Sequence, residues 1–478
     1  MLITPSRKNW YRLLLIMVFF AFLSAFFMIF LPHIKEEGRY TIASMEMFYN
    51  HYYWQPTTYG AHYRRPPFFN WLTLPIMHWI GAQNVLVASR IVAASGTVLL
   101  ALMLWFFSLH LFKNKVFAIF SVAVLFSGDF LLGKAWVAYP DTWFAFFTFT
   151  AISCMWISIK EQRPLFWIPI PFVLFAALLT KAFTCYIFYA TALLVVTIGL
   201  GWSKNWRYLL KPASILAHAL VIILPLTWFL LPESTGLAGM LGDVSGSMAQ
   251  PEQFTWLGYF LKILSTPFSF IYLLLPIDIL VLYCLYRYKK YPTIQPVTRL
   301  DGQSIKLLIW IIVLSILPYW FSTAHLLNPR YLFPLLPMIA IVLAYCVWRA
   351  GEKMVGFAIL ILIFELFLKC ILVILISHPG KFTSVDFSLD QIANDALKQS
   401  QSYANLIYVS DFDDGGYGVN IASKINIIRW PQPPLTTAPE PLTKGCVLSQ
   451  VNSTKWGVVP KVYHVNNGRG KPIYVYCK

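Results

Sequence analysis

Eleven apolar runs divide the first 377 residues of this chain, near 11–32, 85–112, 116–132, 139–159, 165–180, 184–202, 212–231, 267–287, 306–321, 331–349 and 353–377. Runs of about 17 to 25 apolar residues match the hydrocarbon thickness of a bilayer when wound as helices. Open sheet edges and lipid-exposed irregular loops cannot replace them, because backbone groups in lipid must find their partners within the protein. The composition agrees: 58% of residues are hydrophobic and only 12% are charged, about half the charged share of an ordinary soluble domain. The expected fold is a polytopic α-helical membrane protein of about 11 transmembrane helices.

Lysine and arginine set the orientation. With the N-terminus in the cytoplasm, the inside ends carry Arg7, Lys8 and Arg12, then Lys113 and Lys115, Lys160 and Arg163, and Lys204, Arg207 and Lys211. Arg287, Lys289, Lys290 and Arg299 follow, then Arg349 and Lys353. An odd number of spans then puts residues 33–84 and the tail, 378–478, outside. The first apolar run exceeds a signal-peptide core and lacks a small-residue cleavage site, so it reads as a retained helix. The formal charge of +17 is largely this positive-inside bias, and nucleic acid is not expected as a partner.

The tail reads as a compact α/β domain: a helix over 386–400, strands at Asn405–Val409 and Ile425–Trp430, a proline-rich linker over Pro431–Pro441, and strands at Val458–Lys461 and Ile473–Tyr476. Asp411–Gly418 reads as a turn. Cys154, Cys185, Cys284, Cys346 and Cys370 sit singly in apolar spans as small hydrophobes. Cys446 and Cys477 lie in the outside tail, and an oxidising compartment predicts a disulfide between them. Upstream of the tail, Pro232–Gln253 reads as a loop. The aromatic stretch after it suits an interfacial helix with Trp256 and Tyr259 at headgroup level.

Ions crowd one polar island, Glu36–Trp71. Glu36 and Glu37 leave the first span together, and Arg39, Arg64 and Arg65 follow, the last two before Pro66-Pro67. Charges beside hydrocarbon are costly and usually functional. A carboxylate can serve as general base, and a guanidinium fork fits a phosphate. Asp141 opens a helix after Tyr139-Pro140, Lys181 closes a short span, and Arg330-Tyr331 precede another. All share the outside face, so a single site is expected to gather them. Each also has a plainer role: the acids as helix-terminal charges, Lys181 as a snorkelling cation. No Walker A loop, dinucleotide fingerprint or serine elbow is present.

The order acidic-acidic-x-Arg-Tyr after the first span, then Tyr63-x-x-Pro66-Pro67-x-x-x-Trp71, resembles the lipid A aminoarabinose transferases. These are GT-C membrane glycosyltransferases related to the bacterial protein O-mannosyltransferase-like family. Tyr139-Pro140-Asp141, Leu179-Thr180-Lys181 and Pro329–Pro334 are similar too, so the resemblance covers most of the chain. It implies a membrane glycosyltransferase body, 1–377, with an extracytoplasmic α/β domain, 378–478, in a bacterial inner membrane. It implies Glu36, Glu37 and Asp141 as catalytic carboxylates, and Arg39, Arg64, Arg65, Lys181, Arg330 and Tyr331 as substrate-binding residues. The partners implied are a polyprenyl-phosphate-linked sugar donor, a lipid, glycan or protein acceptor, and membrane lipids.

Two departures stand out. The family's first acid is normally Asp, and Glu36 stands there. Its Glu-Lys before Pro-Pro is replaced by Arg64-Arg65. Arg65 retains phosphate chemistry, but Arg64 cannot ligate the divalent metal that the resemblance implies, and neither His51 nor His62 restores a ligand set by spacing. No metal ligand and no cofactor is therefore assigned. Two rival readings remain: a flippase for lipid-linked sugars, for which Glu365 within the last span is the best residue, and a non-catalytic polyprenyl-phosphate-binding envelope protein.

Overall fold

The computed structural model describes residues 7–34, 36–63, 65–128, 134–231, 255–273, 277–290, 297, 300–321, 329–376, 388–412, 417–464 and 471–478. Among these, seven helices are long and apolar enough to cross a membrane: 9–30, 82–112, 141–161, 212–229, 302–320, 330–349 and 352–373. Three shorter apolar helices cover 115–127, 164–180 and 184–199. Of the run expected as one span at 267–287, the described parts are helical, within Trp256–Leu273 and Ile277–Lys290, and residues 274–276 lie outside the described residues. The loop expected at 232–253 lies outside the described residues.

The helices sort by burial. Asp141–Glu161 is the central one, with 83% of its apolar window buried, whereas Pro212–Phe229 reaches only 22% and lies at the rim. Exposed Leu216, Ile222 and Leu226 on the rim helix, and Phe19, Leu23, Phe364 and Phe367 elsewhere, form an apolar outer surface. Such a surface suits lipid and not water. Helix Trp256–Leu273 likewise turns Trp256, Leu257 and Phe260 outward while Lys262 and Thr266 are buried. At one end of the bundle, Asp301 caps Gly302–Trp320 by accepting from the N–H groups of Gln303 and Ser304. Its second oxygen takes Lys160 at 2.7 Å, joining that helix to the central one.

Residues 33–84 are mostly helical. Helix Glu37–Asn50 and helix Phe68–Ile80 flank a two-residue hairpin, β1 (Thr57–Thr58) and β2 (Ala61–His62). Glu46, almost fully buried, holds that hairpin by accepting from Thr57 Oγ1 at 2.6 Å, Tyr59 N at 2.5 Å and Gly60 N at 3.2 Å.

The tail has a four-stranded sheet in the order β3 (Ile407–Ser410), β4 (Cys446–Ser449), β6 (Ile473–Cys477) and β5 (Lys461–Tyr463). β3 and β4 are parallel, and the other pairs are antiparallel. Helices Ser388–Gln401 and Tyr417–Arg429 cover one face through Ile392, Ala396, Ala422 and Ile425. Ala438, Leu442 and Trp456 cover the other. Cys446 faces Cys477 in the ladder, and they form the expected disulfide with Cα atoms 4.1 Å apart.

Three expectations for the tail need correction. Ile425–Trp430 is not a strand, since it ends helix Tyr417–Arg429 and Trp430. Its β-branched run suits a buried helix equally well, and periodicity in so short a run cannot separate the two. The proline-rich segment is no free linker: it runs along the sheet, buries Leu435 and bridges Thr437 to Val409. The strand expected at Val458–Lys461 begins only at Lys461. Of the turn expected at Asp411–Gly418, residues 413–416 lie outside the described residues.

Candidate active site

Glu36 and Glu37 are adjacent, and successive residues of a helical turn point about 100° apart. That angle separates their environments. Glu37 is fully buried against Arg90, which reaches Oε1 through Nε at 2.8 Å and Oε2 through Nη2 at 2.5 Å. Glu37 also accepts the N–H groups of Ile34 at 2.7 Å and Ala138 at 2.8 Å. Arg90 donates further to the carbonyls of Ile29, Leu31 and Pro32, where the first helix ends in an irregular turn. A buried ion pair is tolerable only with its remaining sites satisfied, and this one is. Glu37 therefore fastens the first span, the 134–140 segment and helix Val85–Phe112 together.

Glu36 faces the other way, into a cavity of about 240 Å³ lined also by Arg39, Tyr40, Tyr63, Arg65, Lys181, Arg330 and Tyr331. Its carboxylate takes Arg330 Nη1 at 3.3 Å and Arg39 Nη1 at 3.9 Å. Its own N–H donates to Tyr139 Oη at 3.0 Å. Asp141 lies beneath the wall, 1% exposed, where it accepts from Arg330 Nε at 2.8 Å and pairs with Lys181 Nζ. Asp141 thus holds two cations in position and does not line the cavity. Aromatic faces steady the same cations: Arg330 lies 4.1 Å from the Tyr139 ring and Lys181 5.1 Å from Tyr331. Burial pushes the phenols of Tyr40 and Tyr139 above their ordinary value, so both remain neutral hydrogen-bonding groups. Among the described lining residues one carboxylate faces four cations, an arrangement that favours an anion such as phosphate.

The expected residues therefore converge, with Glu37 assigned elsewhere. Glu36, Arg39, Arg65, Lys181, Arg330 and Tyr331 line one cavity, with Asp141 directly behind. Glu37 is turned away, and Arg64 lies outside the described residues. Sequence reading missed Arg90. Its signal was present, because a lone arginine inside the apolar run 85–112 demands a partner. Glu365 was singled out without Lys369, one turn later, with which it pairs at 2.9 Å. Lys369 also donates to the carbonyls of Phe126, Ser127 and Gly128, where the neighbouring helix ends.

The described residues do not fit the metal that the resemblance implied. Among the described residues, no group of three His, Cys, Asp or Glu side chains stands close enough to hold an ion. Glu36 is engaged by arginines, and His51 bonds Tyr53 Oη at 3.0 Å.

This architecture, a helical membrane body with a charged cavity beneath a small sheet domain, has the GT-C type of fold. The chain is similar along its length to crystal structures of ArnT from Cupriavidus metallidurans. The apo structure aligns with a TM-score of 0.64 at 13% identity over 98% of each chain. The structure bound to undecaprenyl phosphate aligns with a TM-score of 0.65 at 12% identity, over 99% of this chain and 98% of that one. No family model and no curated protein matches the sequence.

Proposed function

We propose that the protein transfers a sugar from a polyprenyl-phosphate donor to an acceptor hydroxyl at the outer face of a bacterial inner membrane. The observation that carries this is the cavity in which Glu36 faces Arg39, Arg65, Lys181 and Arg330. The similar ArnT structure bound to undecaprenyl phosphate supports a polyprenyl phosphate as the carrier. The basic inside loops support the orientation. In this reading the acceptor oxygen attacks the anomeric carbon as the carbon–oxygen bond to phosphate breaks. The phosphate leaves with the bonding pair, and the acceptor proton passes to Glu36. Arg65, Lys181 and Arg330 stabilise the charge that grows on the phosphate. Arg39 and Arg330 orient the Glu36 carboxylate. Asp141 and Glu37 are positioning residues, the first through two cations and the second through Arg90. Sugar modification of lipid A is the activity that the resemblance implies.

Membrane lipids and envelope glycans from cells with and without the protein test this reading. A sugar modification should vanish with the protein and return with the wild-type chain. Glu36→Gln keeps shape but removes the proton acceptor, and should lower turnover by roughly 100-fold while undecaprenyl phosphate still binds. Arg65→Ala should chiefly weaken that binding. If both variants restore the modification fully, the carboxylate mechanism is wrong.

A further inference from the structure

The connection between helices Thr184–Gly199 and Pro212–Phe229 is itself a short helix, Trp202–Leu209. It lies at the end of the bundle away from the cavity, because helix Thr184–Gly199 starts just after Lys181 and runs away from it. Its three faces differ. One is fastened to the protein: Asn205 and Tyr208 are buried, Asn205 Nδ2 donates to the Thr197 carbonyl at 3.3 Å, and Tyr208 Oη shares a hydrogen bond of 3.0 Å with Ser158 Oγ of the central helix. At about 100° per residue, Trp202 and Trp206 share a second face. Both are exposed, and their rings stack at 5.3 Å. Lys204 and Arg207 leave on the third face, and Lys211 follows in the next turn with its Nζ 5.2 Å from the Tyr208 ring. All three cations are exposed. The acids of the adjoining helix ends are engaged, Glu161 by His110 and Arg163 and Asp301 by Lys160. Among the described residues, no carboxylate pairs with Lys204, Arg207 or Lys211.

Like charges three and four residues apart repel one another on a helix, and stacked tryptophans are costly in water. A bilayer surface accommodates both: indole rings settle at headgroup level, and juxtamembrane cations attract anionic phosphates. The chain on either side carries the same apolar surface, with Ile198 before the helix and Leu210, Ile215 and Leu216 after it all exposed. The tryptophan face therefore continues the lipid-facing belt, and the cations stand at its edge. We propose that helix Trp202–Leu209 is a docking surface for anionic phospholipid, with Trp202 and Trp206 seated at the top of the acyl chains and Lys204, Arg207 and Lys211 on the headgroup phosphates. An acidic protein would satisfy the cations but leave the tryptophans uncovered. The inference is independent of the transferase reading, whose lipid phosphate occupies the opposite end of the body.

The test uses the full-length protein in detergent, titrated with phosphatidylglycerol or with phosphatidylcholine of the same acyl chains, and bound lipid is counted by native mass spectrometry. The wild type should bind phosphatidylglycerol about tenfold more tightly than phosphatidylcholine, and salt at about 0.5 M should remove most of that preference. The combined variant Lys204→Gln, Arg207→Gln, Lys211→Gln should lose the preference. Lys113→Gln with Lys115→Gln, at another basic helix end, should keep it. Trp202→Ala with Trp206→Ala should weaken both lipids alike. In wild-type protein reconstituted in phosphatidylcholine vesicles, replacing about a third of the lipid by phosphatidylglycerol should slow amide exchange over 202–211 about fivefold. The proposal is overturned if the wild type binds the two lipids equally, if the triple variant keeps the preference, or if exchange over 202–211 ignores the anionic lipid. Displacement of phosphatidylglycerol by inorganic phosphate would overturn it too, by showing a site for a free anion instead of a lipid surface.

Discussion

Replacing Gly38 by Ala should loosen the tail from the membrane body. Gly38 lies two residues from Glu36, where helix Glu37–Asn50 meets the backbone of the tail helix Tyr417–Arg429. A Cβ there would sit 2.3 Å from the Val419 carbonyl oxygen, 2.6 Å from its carbon and 2.8 Å from Asn420 N. Ordinary carbon–oxygen contacts lie near 3.3 Å or beyond, so the overlap is about 1 Å. The clashing atoms are all backbone, and no rotamer change relieves them. If the tail helix retreats by that distance, the bond from Gly38 N to Asn420 Oδ1, now 2.9 Å, is lost. The contacts of Ser423 Oγ with Thr41 at 2.6 Å and His33 at 2.9 Å stretch with it. Overpacking costs about 1–3 kcal/mol and each lost bond roughly 1 kcal/mol. A docking loss of about 3 kcal/mol should speed amide exchange in residues 417–429 by roughly 100-fold. Gly302→Ala is the control, because its nearest neighbour would be the Tyr345 hydroxyl at 3.6 Å. Unchanged exchange over 417–429 in Gly38→Ala would refute the close-approach argument.

Three further outcomes are expected. His33 is buried against Ser423, and burial, with Arg90 and Lys424 adding repulsion, pushes its pKa from 6.5 down to about 3. The unfolded chain therefore binds a proton that the folded chain refuses between those values, so His33 costs nothing above pH 6.5. Below it, stability should fall by about 1.4 kcal/mol per pH unit, a slope that His33→Gln should flatten in detergent melts. Lys369→Met should destabilise the bundle by about 3–5 kcal/mol, since it strands the buried Glu365, and Glu365→Leu in the same chain should recover only part of the loss, because the carbonyls of Phe126, Ser127 and Gly128 still lack their donor. An unaltered melting temperature in Lys369→Met would show that the pair contributes nothing. Arg330→Lys can reach only one of Glu36 and Asp141, so transfer should drop roughly 10- to 100-fold; wild-type turnover would exclude the bridging role.

Much of the body was legible because a bilayer leaves little choice: an apolar run of sufficient length becomes a helix wherever it occurs. Asp141, Lys181 and Arg330 could be placed together from topology alone, since each ends a helix on the same side. What sequence could not show was direction. Glu36 and Glu37 are chemically alike and adjacent, and only the turn between them sends one to the cavity and the other to Arg90. Asp141 was legible as a site residue, but its place behind Lys181 and Arg330 depends on helix rotation. The tail was harder. Ile425–Arg429 satisfies strand and helix patterns alike, and its state is decided by packing, Ile425 in one core with Ile42 and the sheet and Ile427 against the cluster of Met45 and Met47. The proline-rich segment looked like a linker because its few apolar side chains, such as Leu435 and Ala438, follow no regular period.

The Glu37–Arg90 pair also constrains how this chain can diverge over generations. Losing either member alone strands a charge in the core at about 3–5 kcal/mol, whereas exchanging both for apolar groups can be nearly neutral. Here even the double exchange is obstructed. Arg90 supplies the donors for the carbonyls of Ile29, Leu31 and Pro32, and Glu37 the acceptors for Ile34 and Ala138. Positions 37 and 90 should therefore drift together or not at all.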